Sequence, residues 1–126
     1  MQPAPATRLL LLACAAALLA GCQSEAEQVQ AARSYVGKQT VVLLSTRWCE
    51  YCAKLRADFK RWGVPYADYD VENNPAGHKA YESLDGHGIP ITLVGQHRVD
   101  GYGPQEIHHL IVVTPHTTPT HQKTGD

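Results

Sequence analysis

Val41-Val42-Leu43-Leu44-Ser45-Thr46-Arg47-Trp48-Cys49-Glu50-Tyr51-Cys52 is an apolar run that ends in two cysteines three positions apart. The run has the length of a strand, is β-branched at its start and shows no polar alternation. It therefore predicts a central strand over residues 41–45, buried on both faces. From Cys52 onward, Leu55, Phe59 and Trp62 recur at helical spacing while Lys54, Arg56 and Lys60 take other faces. This predicts an amphipathic helix closed by Gly63. The cysteines then stand at the start of that helix, on one face, close enough for a disulfide without backbone movement. A thiol at a helix N-terminus meets unpaired N–H groups and the positive end of the helix dipole, both of which favour thiolate. Cys49 is the expected nucleophile and Cys52 the expected resolving thiol.

Other readings of the same spacing stay open. A C-x-x-C pair is half of a tetrahedral zinc site, but the remaining cysteines, Cys14 and Cys22, lie in and at the edge of an apolar N-terminal segment and form no second pair. A metal carrier would have to combine Cys49 and Cys52 with one of His78, His87, His97, His108 or His109; His116 and His121 have ligand spacing but fall in a polar tail. A binding module would hold Cys49–Cys52 as an inert structural disulfide. The favoured expectation is redox chemistry, with no metal and no cofactor.

Residues 1–21 read as a secretory signal: Arg8 and the free amine supply positive charge ahead of the apolar run Leu9–Ala20. Twelve apolar residues fall short of the roughly 20 that span a bilayer. Leu19-Ala20-Gly21-Cys22 resembles the lipobox of bacterial lipoproteins, which implies cleavage before Cys22 and lipid attachment to its sulfur. Several acyl chains anchor stably, because each buried methylene contributes about 0.8 kcal/mol. Ordinary cleavage would instead leave Cys22 as an unpaired thiol in an oxidising compartment. Gln23, being other than Asp, points to the outer membrane if the host is Gram-negative. The expected location is thus the cell envelope, lipid-anchored at Cys22 and facing the periplasm, with residues 22–26 as a tether.

The chain of 126 residues allows one small domain, expected over residues 27–114. Arg8 is the only charged side chain in residues 1–21, so beyond them ten Lys and Arg face twelve Asp and Glu. That balance excludes a nucleic-acid binder, which needs an excess of phosphate-neutralising cations.

The remaining segments alternate. Glu25–Tyr35 is rich in Ala, Gln and Glu, with Val29, Ala32 and Val36 at helical spacing, and predicts a first helix that Gly37 ends. Val64–Val71 alternates as a second strand. Asn74-Pro75 supplies an N-cap and a first-turn proline for a helix with Ala76, Ala80 and Leu84 inward, ended by Gly86. Ile91–Val94 and His97–Val99 read as a hairpin across Gly95-Gln96. Pro104 opens a last helix that Thr114-Pro115 stops. Residues 115–126 have no apolar periodicity and are expected to be disordered.

This order resembles the thioredoxin superfamily, and within it the glutaredoxin branch, over about residues 25–114. Three local matches carry the resemblance: the stretch quoted above, Gly88-Ile89-Pro90 followed by Ile91-Thr92-Leu93-Val94-Gly95, and Gly101-Tyr102-Gly103-Pro104. It implies an α/β, thioredoxin-like fold with a central mixed four-stranded sheet flanked by helices. It also implies thiol-disulfide oxidoreductase activity at Cys49 and Cys52, and a cis-proline loop at Ile89-Pro90. A cis bond there would leave the Ile89 backbone free to pair with an extended substrate. Trp48, Tyr51 and Tyr102 are read as an apolar rim for substrate, with Arg47 beside them.

Departures from the pattern carry information too. The cysteines enclose Glu50-Tyr51 rather than Pro-Tyr, and Asp100-Gly101-Tyr102-Gly103 replaces a Gly-Gly-x-Asp turn, which argues against glutathione as partner. The buried acid that many thioredoxins carry in the first strand has no counterpart in Val41–Leu44, so the proton of Cys52 would need water or another group. Glu50 disfavours a thiolate at Cys49 and Arg47 favours it. A less stabilised thiolate makes a weaker oxidant, so the expected reaction is reduction of protein disulfides. No Gly-x-Gly-x-x-Gly signature occurs; electrons would arrive through a membrane-embedded thiol donor.

Overall fold

The computed structural model describes residues 22–115. The signal reading and nearly all of the tail reading lie outside those residues. The elements in chain order are α1 (Glu25–Val36), β1 (Val41–Ser45), α2 (Glu50–Trp62), β2 (Ala67–Asp70), α3 (Pro75–Ser83), β3 (Ile91–Val94), β4 (His97–Asp100) and α4 (Pro104–Val113). The strands form one mixed sheet in the order β2-β1-β3-β4, with β1 and β2 parallel and the other pairs antiparallel.

Because β1 is central, both of its faces are covered, as its unbroken apolar run requires. Val42 and Leu44 pack with Ile91 and Leu93 under Val29, Ala32 and Val36 of α1 and Ala80 of α3. Val41 and Leu43 pack with Val94 under Leu55 and Phe59 of α2 and Ile107 and Ile111 of α4. The sheet is thus the middle of three layers, and α2 is pinned with its N-terminus at the end of β1.

Local chemistry explains most boundaries and some departures. Ser24 and Glu27 form a reciprocal capping box, so α1 starts at Glu25 and the stretch ahead of it is shorter than the expected tether of residues 22–26. Strand β2 is shorter than Val64–Val71, because the N–H groups of Gly63 and Val64 turn back to Lys60 and Phe59 to close α2. The left-handed residue after α3 is Asp85 (φ 49°) rather than Gly86, a conformation Asp tolerates better than most. Gly86 is required for a different reason: a Cβ there would collide with the Tyr81 ring. Among the described residues, no helix is long and apolar enough to cross a membrane.

Candidate active site

The end of β1 leads through Thr46-Arg47-Trp48 into Cys49, which is the N-cap of α2. Its Sγ accepts a hydrogen bond from the Cys52 N–H at 3.2 Å, so the first turn of the helix aims a donor at this sulfur. Cys49 and Cys52 are joined as a disulfide with Cα atoms 5.2 Å apart. Cys49 retains 7% exposure and Cys52 none, which makes Cys49 the sulfur a partner reaches first. Once the bond is reduced, the same N–H and the helix dipole favour thiolate at Cys49.

Beside the dithiol lies the loop before β3. The Ile89-Pro90 peptide bond is cis, and Pro90 is buried. Ile91 pairs with Leu44, which brings residues 89–90 to the end of β1 from which the Cys49 segment emerges. The Pro90 carbonyl accepts from the Gly101 N–H at 2.8 Å, whereas the Ile89 backbone has no backbone partner among the described residues. An extended chain laid along this loop would therefore find an unsatisfied donor and acceptor.

The rim residues converge. Tyr51 and Tyr102 stack with ring centroids 5.7 Å apart and planes 25° apart. The Lys54 ammonium sits 5.0 Å from the Tyr51 centroid and 6.0 Å from that of Tyr102. Trp48 is the most open of the three rings at 71% exposure, and its indole N–H donates to the Glu72 carboxylate at 3.1 Å.

Arg47, expected beside the rim, is bonded to an acid of β2. Its guanidinium pairs with Asp70 at 3.3 Å, and Glu50 pairs with Lys54 at 3.8 Å, so each of the two charges weighed against one another near Cys49 has its own counterion. Asp70 also accepts from the Asn73 side chain and from the N–H groups of Glu72 and Asn73. The side-chain bond from Asn73 leads in holding its carboxyl below the ordinary value, with the backbone bonds and Arg47 adding to it.

Several residues of the site carried no signal in the sequence reading. Arg56 donates to Asp68 at 2.6 Å and to the Ser45 hydroxyl at 2.8 Å, and Ser45 in turn donates to Asp68 at 2.5 Å. These bonds rivet α2 to the ends of β1 and β2. The first strand carries no acid, as read from the sequence; a buried acid lies instead on α2, with partners other than the dithiol. Asp58 is only 4% exposed, accepts from the Tyr102 hydroxyl at 2.9 Å and pairs with Arg61 at 2.7 Å. Donation to Asp58 is the main reason the Tyr102 phenol is pushed above its ordinary value. Its place inside the apolar stripe of α2, seven residues after Tyr51, is the signal that could have found it.

The histidines considered as metal ligands are dispersed: His78 meets the Val71 carbonyl and Glu82, His87 meets Asp85, and His108 packs on Trp62. No group of three or more His, Cys, Asp or Glu side chains among the described residues is arranged to hold a metal ion.

This geometry is shared with solved structures. The chain superimposes on a thioredoxin-like protein with a TM-score of 0.56, covering 61% of this chain and 100% of the other at 17% identity. The fold is thioredoxin-like, a mixed four-stranded sheet flanked by helices. A buckwheat glutaredoxin in complex with glutathione matches it with a TM-score of 0.54 and 20% identity, over 72% of this chain and 91% of the other. Within this thioredoxin-like fold, residues 41–99 match the glutaredoxin family model, a span that includes the dithiol and the cis-proline. The chain is also 35% identical over 71 residues to the chloroplastic glutaredoxin-C5 of Arabidopsis thaliana; the match covers 52% of this chain and only 41% of that relative. Fold, family match and cysteine geometry together support thiol-disulfide redox chemistry.

Proposed function

We propose that the protein is a thiol-disulfide oxidoreductase that reduces, or isomerises, protein disulfides through Cys49 and Cys52. One observation carries this reading: the less buried cysteine caps the helix and its sulfur receives the N–H of the other. Cys49 thiolate attacks one sulfur of a client disulfide. The client S–S bond breaks, a mixed disulfide forms, and the departing client thiolate takes up a proton. Cys52, deprotonated, then attacks Cys49 Sγ, and the second client thiol leaves. Two electrons pass from the dithiol to the client, and a donor dithiol must return them.

A carboxylate directly after Cys49, at Glu50, disfavours its thiolate. Glu50 and Arg47 each have a counterion, Lys54 and Asp70, so the adjacency of Glu50 to the attacking sulfur is the feature that supports reduction over disulfide donation. The Ile89 backbone and the rim of Trp48, Tyr51 and Tyr102 form the client-binding surface. Insulin turbidity with dithiol donor tests the activity: Cys49→Ser abolishes it, and Cys52→Ser traps a mixed disulfide. A dithiol potential near −120 mV would overturn the reductive direction. Glutathione is not the assigned partner, because the Asp100-Gly101-Tyr102-Gly103 turn has Gly103 where the glutaredoxin Gly-Gly-x-Asp pattern has its Asp, and Asp100 where that pattern has its first Gly; turnover driven by glutathione alone tests that assignment.

The reading extends to the cell envelope, with Cys22 lipid-anchored and the domain facing the periplasm, the outer membrane being the favoured site if the host is Gram-negative. Its support is the apolar run Leu9–Ala20 leading into Leu-Ala-Gly-Cys, together with an exposed Cys22 close ahead of α1. A membrane-embedded thiol protein is then the electron donor. Metabolic labelling with a radiolabelled fatty acid should mark the wild-type chain and not Cys22→Ser; label retained in that variant overturns the anchor.

A further inference from the structure

We infer that Asp58 is a positioning residue for substrate selection: through the Tyr102 hydroxyl it holds Tyr102 flat against Tyr51, making a fixed aromatic ledge that selects clients with an aromatic or aliphatic side chain next to the reactive cysteine. The inference rests on the proposed disulfide exchange and adds to it the class of client.

Burying Asp58 carries a cost. Asp58 lies on the inner side of an amphipathic helix, between Leu55 and Phe59, and a carboxylate buried there is unfavourable unless it is bonded. Arg61 supplies one partner from the same helix at 2.7 Å, which solvates the charge without linking α2 to anything else. Tyr102 is the long-range partner, 44 positions away, in the turn that precedes α4. Residues 51, 54 and 58 recur at helical spacing and share one side of α2. A tyrosine tethered at 58 by its hydroxyl therefore lies back along that side towards 51. The observed stacking distance of 5.7 Å and angle of 25° are the result.

Both rings nevertheless stay open to a client, Tyr51 at 54% and Tyr102 at 40% exposure. Rings held in place lose little freedom when a client side chain settles on them, which makes them effective contact surfaces. Lys54, paired with Glu50 at 3.8 Å, places its ammonium over both rings, where a client cation would otherwise sit. The ledge thus favours an apolar neighbour over a Lys or Arg at the same place.

The test compares three disulfides on the full-length protein: a peptide with Phe beside its cysteine, the same peptide with Lys there, and hydroxyethyl disulfide. Wild type should prefer the Phe peptide to the Lys peptide. Asp58→Leu, which removes the acceptor, should raise KM for the Phe peptide about five- to tenfold with kcat within twofold and hydroxyethyl disulfide turnover unchanged. Asp58→Asn keeps an acceptor for the Tyr102 hydroxyl and should restore most of the affinity. Tyr102→Phe, which keeps the ring and loses the tether, should raise the Phe-peptide KM as Asp58→Leu does. An unchanged KM in both Asp58→Leu and Tyr102→Phe overturns the inference, as does an equal loss towards hydroxyethyl disulfide, which would mark a purely structural role. If wild type turns over none of the three disulfides, the proposed activity itself falls, an outcome distinct from normal turnover without selectivity.

Discussion

The two ends of the central sheet are held by different kinds of bond. At the end away from the dithiol, Arg33 of α1 donates to three backbone carbonyls, those of Gly95, Gln39 and Thr40, and so joins the first helix, the start of β1 and the β3–β4 turn. Burial lowers the pKa of its guanidinium from the ordinary value, the mark of a charge committed to the interior. At the dithiol end the loop between β1 and α2 is held mainly by side chains bonded to side chains, Arg47 to Asp70, Trp48 to Glu72, and Arg56 to Asp68 and Ser45, with one longer bond from Arg56 to the Thr46 carbonyl at 3.4 Å. Arg47, Trp48 and Glu72 in that set are exposed. Backbone carbonyls cannot be rearranged without unfolding, whereas exposed side-chain pairs separate at little cost. One end stores stability and the other keeps a surface that a client can engage.

That contrast can be broken in stages. The largest effect is expected at the dithiol, where Cys49→Ser should abolish disulfide reduction while leaving the far-ultraviolet circular dichroism of the fold intact; residual activity above background in that variant would remove the chemistry assigned to this end. Next comes the opposite end. Arg33→Met removes the side-chain donor to the Gly95 carbonyl, while the Thr40 carbonyl keeps the Gly95 N–H, and should destabilise the domain by about 1–3 kcal/mol in chemical denaturation, with the exchange rate per folded molecule unchanged. A loss below about 0.5 kcal/mol would show that the clamp is not structural.

The rivet at Arg56 is intermediate. Its side chain and that of Asp68 are both about one-third exposed, at 30%, so water screens the pair, and Arg56→Ala should cost about 1–2 kcal/mol. The open pairs should matter least to stability. Arg47→Ala is expected to change it by less than about 0.5 kcal/mol, because the Arg47 side chain is 79% exposed. If Arg47→Ala proved as destabilising as Arg33→Met, the two ends would not differ in kind.

Asp70 sharpens the comparison through pH. Its carboxyl is held below the ordinary value by bonds to Asn73, Glu72 and Arg47 in the fold. Its contribution to stability is therefore fully present above the unfolded carboxylate value, about 3.9, and is lost as pH falls through the lower folded value. Acid titration monitored by tryptophan fluorescence should show an acid limb that is shallower in Asp70→Asn than in wild type. Arg33 titrates nothing in that window, so its variant should shift the whole curve without changing its shape.

Much of this fold could be read from local pattern. The strand at 41–45, the helix from the dithiol to Trp62, the hairpin about Gly95-Gln96 and the helix opened by Pro104 all follow from periodicity and capping, which act over a few residues. The differences are local as well: alternation over Val64–Val71 cannot reveal that the Val64 N–H is already used to close α2, and a glycine at 86 as the helix end does not reveal that Asp85 is the left-handed residue there. The site divides in the same way. Cys49 and Cys52 were legible because their relationship is a matter of three residues. The partners of Arg47, Trp48 and Tyr102 lie 23, 24 and 44 positions away, and side-chain charge alone does not say which of several acids each will meet.

By itself, the order of apolar runs, glycines, prolines and cysteines determined a thioredoxin-like α/β chain with a dithiol at the mouth of a helix, since each of those features is set by backbone preference and hydrophobic periodicity within one element. Only the packed structure decided that Asp58 would be buried, that Tyr102 would reach back to it and lie on Tyr51, and that Arg47 would turn to Asp70. Those outcomes depend on the distances between elements, which arise when the two faces of the sheet close over β1 and which no stretch of sequence encodes alone.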